Sequence, residues 1–459
     1  MLSTAPHLTH HDVELIRRDF PALTATVNGE PLAYLDSGAT AQRPLSVLDA
    51  EREFLLHHNA AVHRGAHTTA GEATELFENA RATVAAFIRA APEEIVWTSN
   101  ATDAINLVAY GFAKASRGRG GPGAARFALA AGDEILVTEA EHHANLVPWQ
   151  ELAATTGATL RFVPVRDDGT WEVEDARNLI TDRTRVFAFS HVSNVTGFVA
   201  NVAELSAMAH AVGALVVLDA CQSAPHRRLD VAELDVDFLA FSGHKMLGPT
   251  GIGVLYGRRK LLDILPPFRT GGSMITTVTM DSAEYLPAPQ RFEAGTQPVS
   301  QAVALAEAVR YLESVGLERI EAWEEELAQR MLRGLAAIPG IRIVGRGAGS
   351  PRAGLVAFDV AGVHAHDVGQ FLDSRGLAVR VGHHCAQPLH RRLGLIATTR
   401  ASAYLYTTAA EVDLLLSAVA DARAYFGAPA PAASDLGAFD LAAFDLAASD
   451  LAASDLGEA

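Results

Sequence analysis

A lysine and an aspartate lie at the ends of two apolar runs in the middle of the chain. Lys245 follows the run FLAF at 238–241, and Asp219 directly follows LVVL at 215–218. At the carboxyl end of a strand, a lysine is a candidate Schiff-base nucleophile, and a carboxylate can keep a pyridine nitrogen protonated. Either residue alone has an ordinary explanation, as a surface lysine or a helix cap. The pair is what pyridoxal 5′-phosphate (PLP) chemistry requires, because a protonated ring withdraws electrons from the bound substrate.

A phosphate site is predicted where a third apolar run ends and a helix begins. The run IVW at 95–97 is followed by TSNA at 98–101, and a helix is predicted over 102–114. Free backbone N–H groups and the helix dipole favour an anion at such a helix start. Helix capping explains Thr102 equally well on its own. Because Lys245 and Asp219 together indicate PLP, which carries a phosphate group, we favour a phosphate site here.

A histidine is placed to act on the same ligand. His142 lies in EHHAN at 141–145, shortly after an apolar run that ends at Val137. A flat imidazole at this edge can stack on a cofactor ring and relay protons. An ordinary surface histidine is the alternative interpretation.

The chain has two cysteines, Cys221 and Cys385. Cys385 lies in the polar loop GHHCA at 382–386, close to Arg380, and positive neighbours favour a reactive thiolate. Zinc binding is disfavoured, because adjacent residues do not match the spacing of structural zinc ligands and there is no second cysteine pair. We therefore predict a nucleophilic Cys385, a buried and inert Cys221, and no metal site.

Apolar runs of strand length alternate with helical patterns from residue 72 onwards. A helix is predicted over 72–90, because its apolar residues recur at helical spacing. The strand-like runs lie at 95–97, 135–137, 186–189, 215–218 and 238–241. Continuous apolar strands separated by helices indicate a mainly parallel sheet covered on both faces. Ligands of such sheets bind beyond the carboxyl ends of the strands, where the residues above lie.

A second, smaller domain is predicted after Gly271, where the alternation weakens. Helices are expected at 301–315 and 317–335, and the strands of the second domain at 355–358 and 378–381. We expect four parts of the chain. These are an N-terminal segment at 1–34 that packs with the small domain, a large PLP-binding domain at 35–310, a small domain at 311–427 with the Cys385 loop, and a tail at 428–459.

Two segments have a composition unlike the rest. Residues 115–125 are rich in glycine and arginine, which predicts a flexible loop. The tail repeats a five-residue unit that ends in Asp-Leu after Pro431. Each step of five residues turns a helix by about 140°, so the leucines would form no apolar stripe. We predict a disordered acidic tail, with an acidic docking peptide as the alternative.

Composition limits the class of protein. The chain has 459 residues and a formal net charge of −17, which disfavours nucleic acid or an anionic membrane as the main partner. The low cysteine count fits a reducing compartment. The N-terminus is charged, and no apolar stretch approaches the length of a membrane span. We expect a cytoplasmic protein.

The sequence resembles the PLP-dependent cysteine desulfurases of group II (Suf-type), in the class V aminotransferase superfamily of fold type I. The resemblance runs from about Phe20 to Phe426 and rests on motifs in a fixed order. These are LDS at 35–37, AVHRG at 61–65, EHHANLVPW at 141–149, HVSN at 191–194, SGHK at 242–245, GPTGIG at 248–253, GGSMI at 271–275, RFEAGT at 291–296 and RVGHHCA at 380–386. The Arg-x-Gly-His-His-Cys loop is the feature that resembles group II.

The resemblance implies an α/β fold with a mainly parallel, seven-stranded sheet flanked by helices, and a smaller α+β domain. It implies three catalytic residues. Lys245 binds PLP covalently and moves the substrate proton, His142 stacks on the ring, and Cys385 takes the sulfur as a persulfide.

It also implies binding residues for the cofactor and the substrate. Asp219 pairs with the pyridine nitrogen and Gln222 with the ring oxygen. The phosphate region is formed by Ala101, Thr102, Ser242 and His244, with Thr296 from the partner subunit of a homodimer. The substrate carboxylate site is formed by Asn194 and Arg400, and Arg380 is a further substrate-binding residue.

The implied reaction converts L-cysteine to L-alanine, and the persulfide passes to an acceptor protein of the SufE or SufU type for iron–sulfur cluster assembly. A selenocysteine lyase is the first alternative, because the same fold performs that reaction. A non-catalytic sulfur-transfer scaffold that docks through its tail is the more remote one.

Overall fold

The computed structural model describes residue 3 and residues 7–427 of the chain. The acidic tail at 428–459, predicted to be disordered or to dock, lies outside the described residues. Among the helices described, none combines the length and the apolar character needed to cross a membrane.

The elements follow one another along the chain with helices and strands interleaved. The α-helices are His10–Arg17 (α1), Leu45–Glu53 (α2), Thr68–Phe87 (α3), Ala101–Ser116 (α4), Val147–Thr156 (α5), Val173–Arg177 (α6), Val202–Ala211 (α7), Val231–Leu234 (α8), Arg259–Leu262 (α9), Val299–Val315 (α10), Leu317–Ala336 (α11), Ala365–Asp373 (α12), Gln387–Arg392 (α13) and Ala409–Tyr425 (α14). The strands are Thr26–Val27 (β1), Glu30–Pro31 (β2), Ala33–Tyr34 (β3), Ile95–Thr98 (β4), Glu134–Thr138 (β5), Thr159–Val163 (β6), Thr184–Ser190 (β7), Leu215–Asp219 (β8), Phe238–Ser242 (β9), Gly253–Gly257 (β10), Ile275–Val278 (β11), Ala283–Tyr285 (β12), Ile341–Val344 (β13), Leu355–Val360 (β14), Leu377–Ala378 (β15), Arg380–Gly382 (β16) and Thr398–Ser402 (β17).

A seven-stranded sheet forms the centre of the molecule, in the order β4-β10-β9-β8-β7-β5-β6. β10 runs antiparallel to β4 and β9, whereas the pairs from β9 through β8, β7 and β5 to β6 are parallel. Every residue of β5, β8, β9 and β10 is buried, as expected for strands between two helical layers. The predicted α/β fold with a mainly parallel sheet is confirmed.

Two strands of this sheet lie outside the predicted apolar runs. β6 is one of the two edge strands, and only its last residue is buried, so it carries no continuous apolar run. β10 is bounded by glycines, which are more typical of turns than of strands. A Cβ atom at Gly253 would lie 2.5 Å from the Cα atom of Asn100. Glycine is therefore required for β10 to pack beneath the start of α4.

The smaller sheet carries two arginines of the predicted substrate site. Its strands follow the order β13-β14-β17-β16, and all three pairs are antiparallel. Arg380 on β16 is paired in register with Arg400 on β17. The N-terminal part of the chain joins this region, because β3 pairs in parallel with β15 and Arg17 donates a hydrogen bond to the carbonyl of Tyr406. Residues directly after β3 therefore lie beside the two arginines.

The predicted flexible loop at 115–125 is partly ordered. α4 extends to Ser116, and a short 3₁₀ helix covers Pro122–Phe127. The ring of Phe127 is buried and makes an edge-on contact with Phe112 of α4 at 5.1 Å between centroids. The glycine and arginine content of residues 115–125 does not predict this packing, because Phe127 lies two residues beyond that segment.

His210 of α7 lies between two aspartates, Asp235 and Asp237, that directly precede β9. His210 Nε2 lies 2.9 Å from Asp237 Oδ2, and Nδ1 lies 3.2 Å from Asp235 Oδ2. The hydrogen bond to Asp237 and the two nearby negative charges raise the pKa of His210, against the opposing effect of burial. The protonated imidazole therefore stabilises the folded chain.

We expect His210→Asn to lower the free energy of unfolding by about 1 kcal/mol at pH 6 and by less at pH 9. A raised folded-state pKa gives stabilisation that is complete below the unfolded value of 6.5 and is lost as the pH rises through the folded value. Urea unfolding at the two pH values measures the difference. His11→Asn is the matched control, because His11 is helical and exposed and has no carboxylate partner among the described residues. An equal decrease in the free energy of unfolding at both pH values would contradict the proposal that the charge of His210 is stabilising.

Candidate active site

The carboxyl ends of β8 and β9 bring Asp219 and Lys245 to the same edge of the sheet. Asp219 is the last residue of β8 and is 6% exposed, and a 3₁₀ turn after β9 carries Lys245. Asp219 Oδ1 accepts the backbone N–H of Cys221 at 2.9 Å. The Cys221 thiol also interacts with this carboxylate, and no N–H or O–H group among the described residues donates to its other oxygen. The carboxylate thus keeps an open acceptor in a buried position.

His142 lies at the same edge in its neutral form. Burial lowers its pKa to about 4, and the positive charge of Lys245 contributes in the same direction. Nδ1 accepts the backbone N–H of Ala144 at 3.0 Å, so the ring proton is assigned to Nε2. The imidazole is therefore available for stacking and presents one N–H donor.

A buried carboxyl group anchors the loop that carries His142. Glu141 Oε2 accepts hydrogen bonds from Asn145 and from the Ser190 hydroxyl, both at 2.7 Å. Burial raises the pKa of Glu141 to about 7. Because Ser190 is paired with Asp219 across β7 and β8, this network links the histidine loop to the Asp219 strand.

The start of α4 meets the end of β9 and forms the expected phosphate region. The N–H of Ala101 donates to Ser242 Oγ at 2.9 Å, and Thr102 is exposed in the first turn of the helix. Within the described chain, the N–H of Thr102 has no acceptor on another residue. Nδ1 of His244 lies 3.2 Å from Thr40 Oγ1, and burial lowers the pKa of His244 to about 4. These groups offer hydrogen-bond donors at a helix N-terminus, a favourable place for an anion.

Arg400 presents an open guanidinium edge. It is 2% exposed, and burial lowers its pKa to about 10, so the group stays charged at neutral pH. Nη1 donates to the carbonyl of Asn194 at 2.8 Å. Nε and Nη2 are buried and have no hydrogen-bond acceptor among the described residues. These two atoms form the fork that binds a carboxylate in bidentate fashion.

The guanidinium group of Arg380 already has a carboxylate partner. Its Nε lies 3.1 and 3.2 Å from the two oxygens of Asp36, and its Nη2 lies 3.0 Å from Oδ2. Asp36 Oδ1 is also 3.5 Å from Nη2 of Arg400. A Cβ atom at Gly38 would lie 3.3 Å from the Arg400 Cζ atom, so glycine allows the backbone to approach this guanidinium.

The loop that carries Cys385 is held by three hydrogen bonds to residues that follow β5 and β7. The N–H of His143 donates to the Cys385 carbonyl at 2.7 Å, and His143 Nε2 accepts the N–H of Gln387 at 3.1 Å. The amide of Asn194 donates to the His384 carbonyl at 2.6 Å. His384 and Cys385 have φ angles of 50° and 58°, which non-glycine residues rarely adopt. The strained loop leaves the Cys385 thiol exposed.

Two predicted site residues have other surroundings. Thr296 is exposed and has no side-chain hydrogen bond to the other predicted site residues within this chain. Gln222 is buried, and its amide donates to the Gly38 carbonyl at 2.7 Å. Among the residues described, no group of three or more metal-ligating side chains is arranged to hold a metal ion.

Three residues with clear contacts in the site had no role assigned from the sequence. Glu141 and His143 flank His142 and hold the two loops, and Asp36 pairs with the two arginines. The position of Asp36 directly after an apolar residue in the LDS motif is a weak signal for it. Their contacts join distant parts of the chain, so the sequence around each residue does not show the partner.

Comparison with known proteins agrees with this geometry. Residues 33–415 match the family model for aminotransferase class-V. The chain belongs to this family. Its sequence is 56% identical over 422 residues to the protein of Mycobacterium leprae (strain TN) named probable cysteine desulfurase 2, with 92% of this chain and 99% of the relative covered.

Solved structures show the same class-V fold. The apo structure of cysteine desulfurase from Thermococcus onnurineus NA1 matches with a TM-score of 0.82 and 39% identity, over 89% of this chain and 97% of that one. A C-DES variant with glycine covalently linked to its PLP cofactor matches with a TM-score of 0.73 and 26% identity, over 88% and 99% of the two chains. This class-V chain is therefore similar to cysteine desulfurases in both sequence and fold.

Proposed function

We propose that the chain is a PLP-dependent cysteine desulfurase that converts L-cysteine to L-alanine and holds the sulfur as a persulfide on Cys385. One observation carries the proposal. The loop with the exposed Cys385 thiol is hydrogen-bonded onto the sheet edge that presents Lys245 and Asp219. A nucleophilic sulfur and a Schiff-base lysine at one edge are what this reaction needs.

The cofactor is PLP, and the site has residues that suit its aldehyde, its pyridine nitrogen and its phosphate. Lys245 is available for the aldehyde, and the open carboxylate oxygen of Asp219 suits the pyridine nitrogen. The phosphate suits the start of α4, where Thr102 has a free N–H and Ser242 and His244 lie nearby. When bound, PLP supplies an electron sink for charge that develops at the substrate Cα atom. We assign ring stacking to His142 and the ring oxygen to Gln222, whose amide then exchanges its contact with Gly38.

The chain's own residues account for the proton and sulfur transfers. The Lys245 amine removes the proton from the substrate Cα atom. The Cys385 thiolate attacks the substrate sulfur, so an S–S bond forms and the substrate C–S bond breaks. The electron pair of that bond stays with the carbon, which takes up a proton and becomes the methyl group of alanine. We assign to His142, neutral with its proton on Nε2, the role of stacking on the cofactor ring and donating a hydrogen bond from Nε2 at this edge.

The substrate carboxylate is assigned to the open fork of Arg400, assisted by Asn194. The buried guanidinium has two N–H groups without a hydrogen-bond acceptor, and its carboxylate neighbour Asp36, 3.5 Å away, is shared with Arg380. A bidentate anion would supply the missing acceptors, because buried donors without acceptors are costly. Arg380 borders the same site, with its fork on Asp36. We assign it to the substrate site as a neighbouring charge.

A homodimer is part of the proposal. Thr296 is exposed and would reach the phosphate of the partner subunit. Large apolar side chains are exposed on α2 and the turn that follows it, which supports a protein contact there. They are Leu45, Leu48, Leu55 and Leu56.

The proposal also covers the division of the chain into domains and the cellular role of the protein. Contacts of α1 with α11 and with the segment before α14 support an N-terminal segment at 1–34 that packs with a small domain at 311–427, beside a large domain at 35–310. The Arg-x-Gly-His-His-Cys loop supports group II, with a SufE- or SufU-type acceptor, iron–sulfur cluster assembly and a cytoplasmic location.

The test is the formation of alanine from L-cysteine by the purified holoenzyme under a thiol reductant. We expect alanine and sulfide in equal amounts, because each turnover transfers one sulfur atom and leaves one carbon skeleton. L-selenocysteine is measured in parallel. Turnover of L-selenocysteine with no alanine from L-cysteine would favour the lyase alternative. No alanine from either substrate, with PLP bound, would contradict the proposal.

A further inference from the structure

The Cys385 loop begins after β16 and ends at α13, and one hydroxyl group on β17 contacts side chains of the loop and of the helix. Thr398 is the first residue of β17, is fully buried and is paired in register with Gly382 at the end of β16. Its Oγ1 atom lies 2.8 Å from Nε2 of His384, the loop residue next to Cys385. The same oxygen lies 3.0 Å from Nε2 of His390 on α13. The hydroxyl therefore connects the loop to the helix that follows it.

The partners of the two histidines fix the direction of each hydrogen bond. His390 Nδ1 lies 2.9 Å from the carbonyl oxygen of Ala386, which can only accept, so the ring proton of His390 is assigned to Nδ1. Burial lowers the pKa of His390, so its Nε2 carries no proton and accepts the Thr398 O–H group. A hydroxyl has a single proton to donate. In the remaining contact, His384 Nε2–H is therefore the donor and the Thr398 oxygen is the acceptor.

The bond to Thr398 holds a part of the loop whose backbone conformation is costly. His384 and Cys385 have φ angles of 50° and 58°, and such residues persist only where their surroundings fix them. Nδ1 of His384 is buried and has no partner, so Thr398 is the only hydrogen-bond partner of this ring among the described residues. Without the hydroxyl, a buried N–H group would be left unpaired. The loop would then gain stability by relaxing.

We propose that the Thr398 hydroxyl is a positioning group that holds the Cys385 loop in its strained conformation through His384 and His390. Thr398 touches no reacting atom in this proposal. A relaxed loop would take the Cys385 thiol away from the substrate sulfur, so sulfur transfer would slow while the carboxylate site at Arg400 stays formed. The expected effect on turnover rests on the proposed function of Cys385, whereas the expected effect on the loop backbone does not.

The test compares Thr398→Val, which removes the hydroxyl and keeps the shape, with Thr398→Ser, which keeps the hydroxyl. In the Thr398→Val holoenzyme, kcat for alanine formation from L-cysteine should fall about tenfold. The dissociation constant of L-alanine, followed by the absorption of the cofactor, should change less than about threefold. Hydrogen exchange should become about tenfold faster at the N–H groups of Ala386 and Gln387, which are hydrogen-bonded in the wild type. Thr398→Ser should match the wild type in all three measurements.

Thr399→Val is the matched control for the loss of a buried hydroxyl. Thr399 is the next residue of β17, is 1% exposed, and its hydroxyl makes no hydrogen bond to another described residue. This variant should leave turnover and loop exchange unchanged.

Three outcomes separate the inference from the proposed function. Unchanged loop exchange and kcat in Thr398→Val, with an active wild type, would overturn the inference and leave the proposed function intact. Exchange that becomes equally fast in β13 and β14 would show a general loosening of the sheet and would also overturn it. Faster exchange confined to the loop, with a wild type that forms no alanine, would support the role of Thr398 and overturn the proposed function.

His390→Leu keeps the inference testable if Thr398→Val does not fold. This variant removes the acceptor of the Thr398 hydroxyl on α13 and leaves the bond between Thr398 and His384 in place. We therefore expect a smaller effect, with loop exchange about threefold faster and kcat about threefold lower. Loop exchange equal to that of the wild type would overturn the inference.

Discussion

Replacing Cys385 with alanine should lower alanine formation from L-cysteine by about 10³-fold or more. The loop that His143 and Asn194 hold in place would then carry no acceptor for the substrate sulfur. The Arg400 fork and Lys245 stay in place, so the variant should still bind PLP and L-cysteine. Amino-acid analysis of the product measures the loss, and the absorption of the cofactor on addition of L-cysteine measures the retained binding.

Cys221→Ala is the matched control for the thiol. Burial raises the pKa of Cys221 to about 12, so this thiol is protonated at neutral pH and does not act as a nucleophile. Alkylation and mass spectrometry after one turnover should find the persulfide on Cys385 in the wild type and in Cys221→Ala. Equal alanine formation by Cys385→Ala and the wild type would show that another group receives the sulfur. L-selenocysteine would then be the next substrate to test.

Replacing Lys245 with alanine should abolish turnover, with a loss of about 10⁴-fold or more, and should prevent covalent attachment of PLP. The amine at the end of β9 is both the attachment point and the base in the proposed reaction. Borohydride reduction followed by peptide mapping measures attachment, because a reduced lysine–PLP linkage is stable. We expect the label on the peptide that contains Lys245 in the wild type and on no peptide in the variant.

The chain contains only three lysines, Lys114, Lys245 and Lys260, which makes this labelling unambiguous. Lys114 donates to the Pro267 carbonyl at 2.6 Å, and Lys260 is exposed on α9, outside the site. Lys260→Ala is therefore the matched control and should retain both the label and the activity. A label that persists in Lys245→Ala would show that a different lysine holds the cofactor.

Local sequence determined the sheet and the residues at its edge. Continuous apolar runs marked β4, β5, β7, β8 and β9, because the central residues of strands covered on both faces are buried on both sides of the sheet. The candidate site residues Asp219 and Lys245 follow two of those runs within four residues, so both were identifiable without a structure. The resemblance to cysteine desulfurases supplied the proposed role of Cys385.

Strands with mixed or glycine-bounded sequences were not identifiable in this way. β6 is an edge strand with a single fully buried residue, and β10 depends on a close approach between Gly253 and the start of α4. Their positions follow from what packs against them. That information is not contained in a short window of sequence.

The tertiary structure alone decided which charges meet. Asp36 and Arg380 are 344 residues apart, yet they form a bidentate pair, and the same carboxylate lies beside Arg400. The open fork of Arg400 and the bonds of His143 to the Cys385 loop are likewise contacts between distant segments. Residue types and strand patterns are local properties, whereas a hydrogen-bond partner is fixed only when folding brings separate elements together. The sequence therefore indicated the chemistry of the site, and the fold decided which of its groups are paired and which are left free for a ligand.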